Sequence, residues 1–314
     1  MLAWVVDSLV RSILIGSLYT LMALGLTMTI AVVRLPNFAH AELITVGAYV
    51  AVLSGLACDH VTLALALAFS VTASVAFICH RAVYRPMRRR GATMYTIVLA
   101  SFALGLTIRY VLLVWAGSAG MLQIKPKIPL TVAFTVGETP VLSVFVWSLP
   151  TAILLVLVLH FLLHRTKAGK MMRAVANDLT LSLVTGIDLE RVHDFAWIIA
   201  GGLAGVAGSL WAILYYATPY VGWTALLSVF AAVVLGGLTS FTGAIAGGFI
   251  VGLSENLLME MVNRFTGLEF TYKPIISFAI IVTVLMMRPA GLIGLLPTKT
   301  MHPKLKPRNR DNET

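Results

Sequence analysis

Apolar residues fill this chain in blocks of roughly 20, the length that crosses a bilayer as a helix, and short charged clusters separate the blocks. The first covers residues 9–33 and ends at Arg34. LPNFAHAEL follows, then an apolar segment to Leu56. Counted from Leu43, that segment is short for a crossing; a helix capped by Asn37 just after Pro36 gains the missing turn. Further spans are predicted over 63–83, 93–116, 141–163, 195–216, 223–238, 243–261 and 274–287. The loop YRPMRRRG separates the third span from the fourth. Residues 117–140 hold Lys125, Pro126, Lys127, Pro129 and Gly137 between β-branched residues, a texture that predicts an exposed loop or short hairpin. The pattern gives an all-α polytopic membrane protein of about 8–10 transmembrane helices.

The longest interruption is Arg165 to Arg191, RTKAGKMMRAVANDLTLSLVTGIDLER. Met171, Val175, Leu179 and Leu183 recur every fourth residue and so share one helical face. Gly186 stands where that helix would stop, and Asp178 would cap a second short helix if the segment bends there. An apolar stripe outside the membrane needs cover. It lies either on lipid headgroups, drawn by its basic residues, or in a groove of a partner protein.

Composition agrees with the pattern. The 314 residues are 59% hydrophobic and 11% charged, against about 25% charged in a soluble domain. The net charge of +10 is not a nucleic-acid signature, because the basic residues sit between spans. With the N-terminus outside, the inner side takes Arg34, five basic residues in 81–90, five in 165–191 and six from Arg288 onward. The outer side takes Lys125, Lys127, Arg264 and Lys273. This bias places the charged island and the C-terminus in the cytoplasm. The first apolar run is too long for a signal-peptide core and is expected to be a retained span. Cys58 and Cys79 lie near opposite ends of one span, which argues against a disulfide, and they offer no metal spacing.

Polar residues inside spans are costly and so informative. Glu255 follows Gly247, Gly248 and Gly252 in an apolar helix; it serves a pathway or interhelical hydrogen bond, or else an interfacial role. Arg109 is expected to snorkel toward the outer interface. Asn37, His40 and Glu42 cluster at the start of the second span. They either cap a helix or present its N-terminus to a translocation path, where the dipole favours a substrate carboxylate and Glu42 favours an ammonium. Gly201-x3-Gly205 and Gly243-x3-Gly247 allow close helix approach, within one subunit or between two. Gly-Ser-Leu-aromatic occurs at 16–19 and again at 208–211, a faint internal echo. No catalytic motif is present: HExxH and GxSxG are absent, and Gly169-Lys170 lacks the rest of a P-loop. The chain is not an enzyme, and any ATPase driving it is a separate polypeptide.

Several segments, in order, resemble the permease subunits of branched-chain amino acid ABC importers of the LivH type. They are NFAHAE at 37–42 and GAYVA at 47–51; RP-x-RR at 85–89; G-x3-RA-x2-ND at 169–178 with GI at 186–187; AGVAGSL at 204–210; and the long run 230–255. The likeness spans about 16–296. It implies an ABC importer permease fold over 1–296, followed by a basic cytoplasmic tail, 297–314. It further implies that 164–191 is a cytoplasmic coupling loop. Lys170, Arg173, Ala174, Asn177, Asp178, Leu179, Gly186 and Ile187 would there contact an ATPase subunit. The implied partners are ATP-binding subunits, which alone hold ATP and magnesium, a second LivM-like permease, a periplasmic or lipid-anchored binding protein, and membrane lipid, with no nucleic acid. The implied location is a bacterial or archaeal inner membrane. Ala41, TSFT at 239–242 and Ser182 depart from the family pattern and leave the solute open among branched-chain and other hydrophobic amino acids, urea and short amides. A standalone transporter, with Glu255 as its coupling group, and a lipid-acting membrane enzyme are the competing classes.

Overall fold

The computed structural model describes residues 2–57, 60–129, 131–136, 139–288 and 291–292. Cys58 and the basic tail 297–314 fall outside these; Cys79 is a free thiol. The elements in order are α1 (Leu2–Val33), α2 (His40–Ala57), α3 (Val61–Cys79), α4 (Arg85–Arg89) and α5 (Met94–Ser118). A hairpin follows, β1 (Val132–Val136) antiparallel to β2 (Thr139–Leu142). Then come α6 (Ser143–Arg165), α7 (Lys167–Asn177), α8 (Leu179–Val184), α9 (Leu189–Leu214), α10 (Val221–Gly236), α11 (Phe241–Thr266) and α12 (Lys273–Met287). Among the described residues, eight helices are long and apolar enough to cross a membrane, and α10 is a shorter apolar helix. The chain is a multi-pass membrane protein of the all-α type.

The bundle is built around α1 and α9. The most apolar stretch of α1 is 89% buried and that of α9 78%, whereas that of α12 is 6% buried and faces outward. Small residues set the spacing. A Cβ on Gly47 of α2 would lie 2.2 Å from the Gly205 carbonyl oxygen of α9, so the two backbones touch there. The Gly243-x3-Gly247 face likewise packs on Gly236 and Ala232 of α10. Both glycine spacings therefore serve contacts inside one chain. The echoed tetrapeptides also meet, because the rings of Tyr19 and Trp211 stack at 6.4 Å.

Three expectations change. The segment 84–91 is not a loop: α3 continues through a π-helical turn, His80–Tyr84, into α4. Pro86 lies where the π-helical turn passes into α4, a place at which the regular backbone ladder is already interrupted. The connection shrinks to the few residues before Met94, with Gly91 at φ +74°. The stripe of the island is split, since Asp178 is extended at φ −145° and separates α7 from α8. Finally, Arg109 does not reach an interface; it is 8% exposed and turned into the bundle.

Between α1 and α2 the chain dips into the bundle. Arg34 adopts φ +59°, and Leu35, Asn37 and Ala39 are buried. Ala39 lies against Gly105 near the middle of α5, so α2 begins well below the bundle surface. Two faces can be named: an island face carrying α7 and α8, and a hairpin face carrying β1 and β2.

Candidate functional site

The island is folded by caps and a close helix contact. Thr166 caps α7, its Oγ1 accepting from the Gly169 N–H at 3.0 Å. A Cβ on Gly169 would fall 2.0 Å from the Leu162 carbonyl oxygen, so only glycine lets α7 fold back on the end of α6. Met172 and Val175 are fully buried and fix the underside of α7. Arg34 donates to the Ala176 carbonyl near the C-terminal end of α7, where a cation also suits the helix dipole. Asp178 Oδ1 accepts from the Leu181 N–H at 2.9 Å and starts α8. Gly186 ends the unit at φ +78°, and Asp188 caps α9 by accepting from the N–H groups of Glu190 and Arg191.

What this platform shows to its surroundings is mixed. Lys170, Arg173, Asn177, Asp178, Leu179 and Gly186 are exposed, while Ala174 and Ile187 are half-buried. The apolar side chains of α8 project outward: Leu181 is 60% exposed and Val184 81%. Apolar groups held outward on a capped helix beside basic residues suit a protein groove or a layer of lipid headgroups.

The arginine run beside the platform has a role that charge counting missed. Arg81 Nε donates to Asp194 Oδ1 at 3.0 Å, and Arg85 and Arg89 ion-pair with Glu190. Arg88 contacts His193 Nδ1 at 2.7 Å. The end of α3 and α4 are thereby fastened to the start of α9. α7 is tied to the end of α1 through Arg34, α8 leads into α9 through the Asp188 cap, and α9 packs closely on α3.

Within the membrane-spanning region the predicted polar residues form interhelical locks. Asn37 Oδ1 accepts from the Ala39 N–H at 3.1 Å and from the Tyr84 hydroxyl at 3.0 Å. His40 Nε2 lies 3.0 Å from the Met22 carbonyl oxygen. Glu42 Oε1 accepts from Arg109 Nε at 2.9 Å and again from its Nη2. The other Glu42 oxygen accepts from the Thr45 hydroxyl at 3.3 Å, and Thr45 Oγ1 in turn accepts from the Gly222 N–H at 3.0 Å. The Arg109 guanidinium also covers the Trp223 ring at 4.4 Å. This chain of contacts joins α5, α2 and α10.

Glu255 makes the second lock. It accepts from the Tyr19 hydroxyl at 2.7 Å, from Ser228 Oγ at 2.5 Å and from Ser277 Oγ. One carboxylate thus ties α1, α10 and α12 to α11. Asn37, His40 and Glu42 are not gathered with Glu255 into one site. Sequence reading missed Arg109 as the partner of Glu42, although an arginine and a glutamate in different spans are themselves a pairing signal. It also missed Tyr19, Ser228 and Ser277, since a hydroxyl in a span is too common to stand out.

The profile described as "Branched-chain amino acid transport system / permease component" matches residues 8–285. The chain is similar to the probable branched-chain amino acid transport permease protein LivH of Methanocaldococcus jannaschii, 34% identical over 295 residues that cover 90% of this chain and 91% of the relative. It is similar to the high-affinity branched-chain amino acid transport system permease protein LivH of Escherichia coli K12, 30% identical over 302 residues, with 90% and 94% covered. It is also similar to the corresponding protein BraD of Pseudomonas aeruginosa, 27% identical over 305 residues, with 92% and 95% covered.

Proposed function

Since the chain belongs to the branched-chain amino acid transport permease family, we propose that it is the membrane subunit of an ATP-driven importer of branched-chain or other hydrophobic amino acids. In this reading the island face is cytoplasmic and the hairpin face external, as the charge bias requires. The platform of α7 and α8 seats in a groove of a separate ATPase, which binds the ATP and magnesium. Lys170, Arg173, Asn177 and Asp178 form its polar rim, with Leu179 beside the apolar contact and Ala174, Gly186 and Ile187 shaping the turn. A second permease and an external binding protein complete the machine, the latter meeting the hairpin face.

The substrate-path role expected of Asn37, His40, Glu42 and Glu255 takes an indirect form here. They hold helices in one of two packings, and ATP-driven movement of the platform exchanges the packings. Long-range coupling by this route needs the buried contacts to have a second arrangement.

The observation that carries the proposal is the outward apolar face of α8, held on a capped and bolted platform. Leu181→Asp and Val184→Asp put charge on that face without touching a buried group. The ATPase is expected to be lost from the purified complex while membrane insertion and the thermal transition of the isolated permease stay unchanged. Unaltered ATPase stoichiometry in both variants contradicts the docking.

A further inference from the structure

The hairpin face holds a cavity of about 490 Å³ walled by α1, α9, α10, α11 and α12, a volume typical of small-molecule sites. One wall is aromatic: Tyr19, Trp211 and Tyr215 form a continuous shelf, Trp211 and Tyr215 meeting at 5.1 Å. Another wall carries Lys273 and Asn256. Lys273 Nζ donates to Asn256 Oδ1 at 2.7 Å, and the amide Nδ2 is committed to the Gly252 carbonyl at 2.7 Å. The ammonium also lies 5.2 Å from the Phe270 ring centre. Among the described residues, no carboxylate comes within ion-pair distance of Lys273.

Arg81, Arg85 and Arg109 each have an acid partner, whereas Lys273, like Arg34, is hydrogen-bonded to a neutral group. A half-buried ammonium with remaining donors and an aromatic shelf beside it favours a ligand with one anionic group and an apolar arm. A hydrophobic amino acid, with a carboxylate and an apolar side chain, matches both features.

We infer that this cavity is a binding site for a hydrophobic amino acid, with its α-carboxylate on Lys273 and its side chain on the Tyr19–Trp211–Tyr215 shelf. The inference rests on the importer reading and adds a substrate site inside the permease, on the side from which solute arrives. The same carboxylate-binding chemistry would also accept a lipid headgroup phosphate, so the test separates the two.

The probe is leucine, read by saturation-transfer NMR on the assembled permease–ATPase complex in nanodiscs. Leucine is expected to receive transfer in the wild type. Isovalerate, which keeps the carboxylate, competes; isoamylamine, which lacks it, competes poorly; and glycerol 3-phosphate does not compete. Lys273→Met weakens leucine binding ~10-fold, the scale of one charge-assisted hydrogen bond, and Lys273→Arg retains most of it. Equal leucine transfer in the wild type and in a folded Lys273→Met complex overturns the inference, as does competition by glycerol 3-phosphate but not isovalerate. Leucine-dependent ATP hydrolysis with the binding protein is measured in parallel. If it is present while leucine transfer is absent, the cavity assignment alone fails; if it is absent, the importer reading fails first.

Discussion

Arg109 and Glu42 show how a single buried pair can decide the arrangement of three helices. Their side chains are 9% and 1% exposed, so neither charge has access to bulk water. Removing one partner strands the other, which typically costs ~3–5 kcal/mol. Glu42→Gln is therefore expected to lower the thermal transition of the detergent-solubilised permease sharply. Glu42→Gln combined with Arg109→Met is expected to recover a large part of that loss, because the stranded charge is gone. An additive double variant contradicts the pairing. Glu255 behaves differently, since three hydroxyls donate to it. A glutamine there can accept with one oxygen only, so Glu255→Gln should destabilise by ~1–3 kcal/mol and leave the pH profile of uptake unmoved. A shifted profile would instead assign Glu255 to proton-linked transport. The sequence showed Glu42, Arg109 and Glu255 as costly residues within spans. It did not show their partners, which lie 67 positions away for Arg109 and Glu42 and 236 for Tyr19 and Glu255.

At the scale of elements, periodicity read from the chain located the amphipathic island, and Asp178 and Gly186 marked its bend and its end. The division of labour within it depended on tertiary packing. The buried anchors are Met172 and Val175, whereas Leu181, Leu183 and Val184 face out. The fourfold stripe Met171–Val175–Leu179–Leu183 assumed one straight helix, and Asp178 breaks it. Asp178→Ala removes the cap of α8 at a cost of ~1 kcal/mol; it should raise amide exchange over 179–184 and leave 167–177 protected. Exchange rising equally over both helices would show that they unfold together and that the bend is not an independent joint. The arginine run was legible as a charge signal but not as a fastener, because Glu190 and Asp194 lie more than 100 residues further along.

The whole molecule combines a tightly packed centre with a lightly covered periphery. The most apolar stretches of α5 and α6 are each 22% buried and that of α12 6%, the least covered of the eight long apolar helices among the described residues. The all-α class and a range of about 8–10 spans were readable from hydropathy alone, because a bilayer demands helices of a fixed length. The depth at which α2 starts was not readable, since Leu35, Asn37 and Ala39 are buried by tertiary contacts rather than by their own pattern. Sidedness is open to a direct check: single cysteines in a cysteine-free background at Val184 and Phe134 should label from opposite sides of the membrane. Labelling from the same side would contradict the arrangement.

Transport in vesicles tests the central claim most directly. The purified chain is reconstituted with the ATPases, second permease and binding protein proposed for it, and uptake of labelled leucine is followed with and without ATP. Uptake is expected only with ATP and the full set of subunits, and Val184→Asp in this chain should abolish it. Leucine movement by this chain alone, with no nucleotide and no other protein, would contradict the account.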